Sequence, residues 1–341
     1  MSSIDTNKTK ENESVSKVLV TGGAGYIGCH LIRILLERGC KVRVLDSFLF
    51  DQHSLDNLKD NPNLEIMVGD IRHMEELASS LEGVSSVIHL AGIVGDPACN
   101  LEKQVTLSIN YEATRLLVDL CKYNNIKRLV FASTCSVYGA RGEEILTEES
   151  PISPISLYAE TKIRSEEILL KAANENSLEP VIVRFATVYG LSRRMRFDLV
   201  LNILTAKAVH EKKIRIYGGV QWRPLIHAKD AAAALMLCLE ASGDVVCGEI
   251  FNAGSNQENY RIKDLEKIFV KLFPRINIEH VPPMNDERSY NVSFDKITSV
   301  LGFTPQETAK RGVKELKDSL LKGNFADYLA DKYYNVKYLY K

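Results

Sequence analysis

Tyr158 and Lys162 stand four residues apart in Tyr158-Ala159-Glu160-Thr161-Lys162. On a helix that spacing puts both side chains on one face. A free tyrosine has a pKa near ~10, too high for a base at neutral pH. A neighbouring ammonium and the positive ring of an oxidised nicotinamide stabilise its phenolate. That phenolate can take a proton from a sugar hydroxyl while the same carbon gives up hydride. Thr134 follows Ser133 at the end of an apolar run, twenty-four residues before Tyr158, and can hydrogen-bond the same oxygen. Lys162 can also hold the nicotinamide ribose. Many helices carry a Tyr-x-x-x-Lys pair without function, so its weight depends on the elements that position it.

Those elements alternate. Strands are predicted over Val18–Thr21, Lys41–Leu45, Leu64–Val68, Ser86–His89, Arg128–Ser133 and Pro180–Phe185, with amphipathic stretches at Cys29–Gly39, Met74–Glu82, Asn110–Asn124 and Tyr158–Asn174 between them. The rhythm predicts an α/β fold, a Rossmann-type doubly wound parallel sheet whose C-terminal strand ends share one rim. After Gly190 it changes. Helices at Phe197–Lys207, Ala228–Ala241, Arg261–Phe273 and Lys310–Lys322, with short strands at Lys213–Tyr217 and Glu249–Asn252, predict a smaller C-terminal substrate-binding lobe. The expected division is a disordered tail at 1–16, a dinucleotide domain at 17–190 and the second lobe at 191–341, with some segments returning to the first. Five tyrosines in Tyr328–Lys341 predict a segment docked on its own domain, or an oligomer contact.

Thr21-Gly22-Gly23-Ala24-Gly25-Tyr26-Ile27-Gly28 directly follows the first strand. In this spacing Gly22 permits the turn, Gly25 lets backbone approach a pyrophosphate, and Gly28 lets helix and strand pack closely. Amides of the helix opening near Tyr26 and Ile27 face the phosphates. Asp46 ends the second strand eighteen residues after Gly28, where a carboxylate accepts both adenosine ribose hydroxyls. Ser47 and Phe48 follow it instead of arginine, which favours NAD over NADP. In Gly69-Asp70-Ile71-Arg72, Asp70 either bonds the adenine amino group or caps the next helix. Leu90-Ala91-Gly92 is small enough to lie against the cofactor, and His89 before it reads as structural.

Bulk properties exclude several classes. A net charge of −1 gives no field for nucleic acid or a membrane surface. No apolar stretch approaches the ~20 residues that span a bilayer. Seven scattered cysteines without a Cys-x-x-Cys pair suggest reduced thiols in a cytoplasmic protein, not a disulfide frame or zinc site.

Taken together, these motifs resemble the extended short-chain dehydrogenase/reductases of the nucleotide-sugar epimerase/dehydratase family. Further markers are Ser133-Thr-Cys-Ser-Val-Tyr-Gly139, Arg184-Phe-Ala-Thr-Val-Tyr-Gly190 and Arg223-Pro-Leu-Ile-His-Ala-Lys-Asp230; the resemblance covers about Lys17 to Leu321. It implies an NAD enzyme acting on a nucleotide-diphospho-sugar, with Thr134, Tyr158 and Lys162 catalytic, and a homodimer formed through helices Asn110–Asn124 and Tyr158–Asn174. Dehydrating members resemble Thr-Asp-Glu where this chain has Thr134-Cys135-Ser136, and decarboxylating members keep Glu at the position of Ser136. The missing acids argue against a 4,6-dehydratase and leave a C4 epimerase, a 4-dehydrogenase or a 4-ketoreductase; a nonenzymatic dinucleotide sensor is the distant alternative. Cys135 reads as a packed residue, with a substrate contact the lesser alternative.

At the nucleotide end, Thr187 stands where the family usually has an asparagine that contacts substrate phosphate, and a hydroxyl cannot replace both groups of an amide. Arg193, Arg194 and Arg196 cluster after the sheet rim, followed by Leu199 and Asn202. Arginine forks suit diphosphates; the resemblance makes Arg223 and Arg288 the best phosphate ligands, while Arg193 and Arg194 serve equally well as surface ion pairs. Trp222, the only tryptophan, stacks on a base or packs in the core.

Overall fold

The computed structural model describes residues 16–283 and 288–339, so the tail expected at 1–16 lies, apart from Ser16, outside the described residues. Seven parallel strands form the central sheet: β1 (Lys17–Thr21), β2 (Lys41–Asp46), β3 (Leu64–Val68), β4 (Ser86–His89), β5 (Arg128–Thr134), then β7 (Glu179–Phe185) and β11 (Glu249–Ala253), in the order β11-β7-β5-β4-β1-β2-β3. Strand order reverses beside β1, where a doubly wound sheet opens a crevice. Val18, Leu19 and Val20 are at most 1% exposed, which explains the unbroken apolar run of β1: helices cover both of its faces.

On one face lies an apolar layer that includes Val20, Leu31, Val44 and Leu235, and on the other a layer with Leu19, Leu77, Leu117 and Leu169. The helix Leu157–Asn174 starts at Ser156, whose hydroxyl accepts the Ala159 N–H and donates to Asp96. It packs beside Ala113–Tyr123, which is preceded by a π-helical turn at Ser108–Glu112.

Segments after Gly190 return to the central sheet. Helix Ala228–Glu240 packs against helix Gly28–Glu37, and β11 is an edge strand of the central sheet. Outside that sheet, β8 (Thr187–Tyr189), β10 (Trp222–His227) and β12 (Asn259–Arg261) form a three-stranded sheet. Two parallel pairs join β9 (Lys213–Tyr217) to β13 (Asn277–Val281) and β6 (Ala140–Leu146) to β14 (Ser289–Val292). The C-terminal tyrosines that are described dock on their own chain: the rings of Tyr328 and Tyr333 meet Phe197 edge-on, and Phe197 N–H donates to Tyr333 O at 3.0 Å. No helix among the described residues is long and apolar enough to cross a membrane.

Candidate active site

Three cavities of about 140, 240 and 420 Å3 run in series along the strand rim. The first is walled by the glycine turn, Asp46, Asp70, Ile71, Leu90, Ala91 and Gly92. Gly22 has φ +73°, and a Cβ there would lie 2.5 Å from Ala91 N, so the turn admits only glycine. At Gly25 an added Cβ meets only Gly22 O, at 3.0 Å; the rest of its surface is open for a ligand. Asp46 accepts the N–H of Ala24 at 2.9 Å and of Phe48 at 2.8 Å, which holds its carboxylate at the wall although burial pushes its pKa up. Asp70 does not cap a helix with its side chain: it pairs with Arg72 at 2.6 Å and stays on the wall. A cavity walled by a glycine turn and by the acceptor carboxylate of Asp46 fits the adenosine half of NAD. His89 lies under it, held by Thr21 at 2.6 Å and Thr114 at 3.0 Å; burial lowers its pKa to about 3, so it is a neutral structural residue.

The middle cavity brings Tyr26, Ile27, Thr134, Ser136, Tyr158 and Lys162 together. Thr134 ends β5 and caps the following 3-10 turn, accepting the Ser136 N–H at 3.1 Å, with its Oγ1 2.6 Å from Ser136 Oγ. Capping turns Thr134 and Ser136 toward the cavity and Cys135 away. The Cys135 thiol donates to Arg184 O at 3.3 Å, lies off the cavity wall and is completely buried. This removes Cys135 from the expected substrate contacts.

Tyr158 is half-buried and hydrogen-bonded to Thr134. Burial pushes its phenol up; the Thr134 bond and the nearby Arg196 charge pull the other way. Lys162 does not supply the expected direct support. It donates to Ala132 O at 2.8 Å and lies 4.6 Å from the centroid of Phe131.

Burial lowers the Lys162 pKa from 10.5 to about 8. Below pH 8 the folded protein therefore keeps a costly buried ammonium. Between about 8 and 10.5 only the unfolded chain still binds the proton, so this group's penalty fades as pH rises. Lys162→Met should raise stability at pH 7, by about 2 kcal/mol at most after the lost bond to Ala132 O, while removing turnover. Denaturant titration should show the gain shrinking at pH 9.5; a variant less stable than wild type at pH 7 would contradict it.

The outer cavity is basic. Arg196, Lys207, Arg215, Arg223 and Arg288 line it, against Asp96 and Asp198. Arg196 pairs with Asp198 at 2.8 Å and Arg288 with Asp96 at 2.8 Å, while Arg223 donates to Trp222 O at 2.8 Å. Thr187, Arg196, Leu199 and Arg288 line both this cavity and the middle one, so the two are continuous. Asn202 is absent from both walls. It is 1% exposed and braces Gly190 N–H at 3.0 Å, the Tyr26 hydroxyl at 2.9 Å and Arg196 O at 2.8 Å, which corrects its expected substrate contact to a structural one. Trp222 neither stacks on a cavity nor enters the core; it bonds Glu143 and carries Arg261 on its ring. Lys207 and Arg215 were missed as wall residues, while Arg194, open between a phosphate ligand and a surface ion pair, lines the first and middle cavities. Alternation in β9 marks Arg215 as outward-facing, but which cavity an outward side chain meets depends on the distant strands around it.

The sequence model of the NAD dependent epimerase/dehydratase family matches residues 18–254. The chain belongs to that family. It is therefore an NAD-dependent enzyme of sugar-nucleotide chemistry. It is 29% identical over 318 residues to UDP-glucose 4-epimerase of Corynebacterium glutamicum, covering 88% of this chain and 94% of the relative. It is also 27% identical over 316 residues to human dTDP-D-glucose 4,6-dehydratase, covering 88% of each. The crystal structure of UDP-glucuronic acid 4-epimerase from Bacillus cereus, in complex with UDP-glucuronic acid and NAD, superposes with a TM-score of 0.80 at 26% identity over 90% of this chain and 99% of that one. Epimerase/dehydratase relatives thus span both reactions.

Proposed function

We propose that the protein is a nucleotide-sugar 4-epimerase working through a transient 4-keto sugar. The observation that carries this reading is the wall around Thr134. Among the described residues, the middle cavity offers Thr134, Ser136, Tyr158 and Lys162 and no carboxyl, imidazole or thiol. Expelling water from a sugar requires an acid and a base beyond the group that handles the C4 hydroxyl. Serving one carbinol oxygen requires only a proton carrier and an orienting donor, and Tyr158 and Thr134 supply both.

The glycine turn would hold NAD at its diphosphate, and the bound nicotinamide would supply reversible hydride acceptance at C4. Tyr158 receives the O4 proton as the ketone forms and gives it back on reduction. Thr134 fixes the oxygen beside the phenol. Lys162 and Asp46 would hold the two riboses of the cofactor, and the basic outer cavity suits a nucleoside diphosphate through charge-assisted, forked hydrogen bonds. Inverting C4 requires the keto sugar to turn over beside Thr134 and Tyr158, in the middle cavity of about 240 Å3. The homodimer implied by family resemblance remains part of this proposal.

The test is 1H NMR of the purified protein with UDP- and dTDP-hexoses. The expected product is the C4 epimer, without net NADH. An accumulated 4-keto sugar would instead identify a 4-dehydrogenase, and a 4-keto-6-deoxy sugar would sink the argument from the missing acids.

A further inference from the structure

Arg194 is a buried cation whose position no part of the proposed chemistry uses. It is 4% exposed, and among the described residues it forms no ion pair. Its guanidinium carbon lies 4.3 Å from the centroid of the Phe50 ring, and its Nη2 donates to Asn335 Oδ1 at 2.5 Å. The other donors of the fork remain for a ligand. The contact partners of Arg194 are neutral and the carboxylates of Asp46 and Asp198 act on it only through space, so burial prevails and lowers the Arg194 pKa to about 10.

The location gives that charge a use. The cofactor cavity and the catalytic cavity share six wall residues: Gly22, Gly25, Phe50, Leu90, Gly92 and Arg194. Arg194 is the charged one. The shared wall is the neck between the adenosine half of the site and the nicotinamide half, at the glycine turn, where a dinucleotide carries its two phosphates.

We propose that Arg194 is a ligand of the dinucleotide's diphosphate, and that Asn335 on the C-terminal segment is the positioning residue that holds it at the neck. The inference rests on the NAD site and not on which reaction follows. A guanidinium fork matches phosphate oxygens, and the diphosphate supplies the anionic contact that no carboxylate among the described residues makes. Asn335 is suited to the positioning role because it is itself fixed at three points. Besides accepting from Arg194, its Nδ2 donates to Val94 O at 3.1 Å and its backbone N–H to Asp198 at 3.4 Å. A neutral amide orients the guanidinium without neutralising it, which leaves its charge for the phosphates. Docking of the C-terminal aromatics on Phe197 then becomes part of cofactor retention.

The experiment is isothermal titration calorimetry of the full-length protein with NAD, ADP and adenosine. Arg194→Gln should weaken NAD and ADP about ten- to hundredfold and leave adenosine within about twofold. Arg194→Lys should recover part of the ADP affinity. Asn335→Ala, which keeps the charge but frees it, should show the same selective loss at several-fold size, and it preserves the test if Arg194→Gln does not fold. Unchanged ADP affinity in Arg194→Gln and Asn335→Ala overturns the proposal. So does an equal loss for adenosine, which would mark a structural role. Wild-type protein that binds neither NAD nor ADP overturns the cofactor site itself, and the proposal with it.

Discussion

Tyr158→Phe should lower turnover by about two to four orders of magnitude while leaving NAD affinity within a few-fold of wild type. The substitution removes one oxygen. Ring packing, the helix Leu157–Asn174 and the Lys162 bond to Ala132 O all survive it. What disappears is the proton carrier beside Thr134. Its pH dependence follows from the two shifts. Burial pushes the Tyr158 phenol up, so its basic form grows as pH rises through neutrality, whereas the Lys162 ammonium is lost above about 8. Wild-type activity should therefore rise with pH and fall again on the alkaline side. The residual activity of Tyr158→Phe should lack the rising limb. Activity within tenfold of wild type in that variant would transfer the base role elsewhere.

The second large effect lies beneath the site. Glu166 and Arg184 are each 3% exposed and pair at 2.7 Å, with a second contact from Arg184 Nε at 3.1 Å. The Ser133 hydroxyl donates to Glu166, and Arg184 reaches Tyr138, which donates to Asn252 at 2.8 Å. The network ties β5, β7, β11 and the catalytic helix together directly below Thr134. Glu166→Ala would leave a guanidinium buried without its anion, and removing one partner of a buried pair costs about 3–5 kcal/mol. Denaturant unfolding should register that loss. Glu166→Met combined with Arg184→Met should recover most of it, because the uncompensated charge goes with the second substitution. A single-variant loss under about 1 kcal/mol would show that water reaches the pair.

The features legible in the sequence are short-range. Apolar runs of strand length separated by helical periods gave seven strands of one parallel sheet, including β11, which the reading placed after the change of rhythm. The glycine turn was legible because backbone crowding at Gly22 excludes any Cβ, and that constraint leaves a mark on residue type. Tyr158 and Lys162 were legible as a pair because helix geometry fixes an i, i+4 face. Strands β6, β8, β10, β12, β13 and β14 were not assigned; each is stabilised by a partner distant in sequence.

Side-chain direction belonged to the tertiary structure. Whether Cys135 faced substrate depended on the cap that Thr134 makes, and whether Lys162 met the phenol or the sheet depended on Ala132 O across β5. Asn202 looked like a contact because of its neighbours in sequence, but its amide is occupied by Tyr26, 176 residues away. Arg194 was ambiguous for the same reason: the residue that orients it, Asn335, lies 141 positions further on. The sequence by itself determined an NAD cradle, a Tyr–Lys face and a doubly wound sheet, since each is set by local sterics and periodicity. Only the folded chain decided which polar groups point into the three cavities, since a hydrogen bond or buried charge is settled by whichever distant partner arrives beside it.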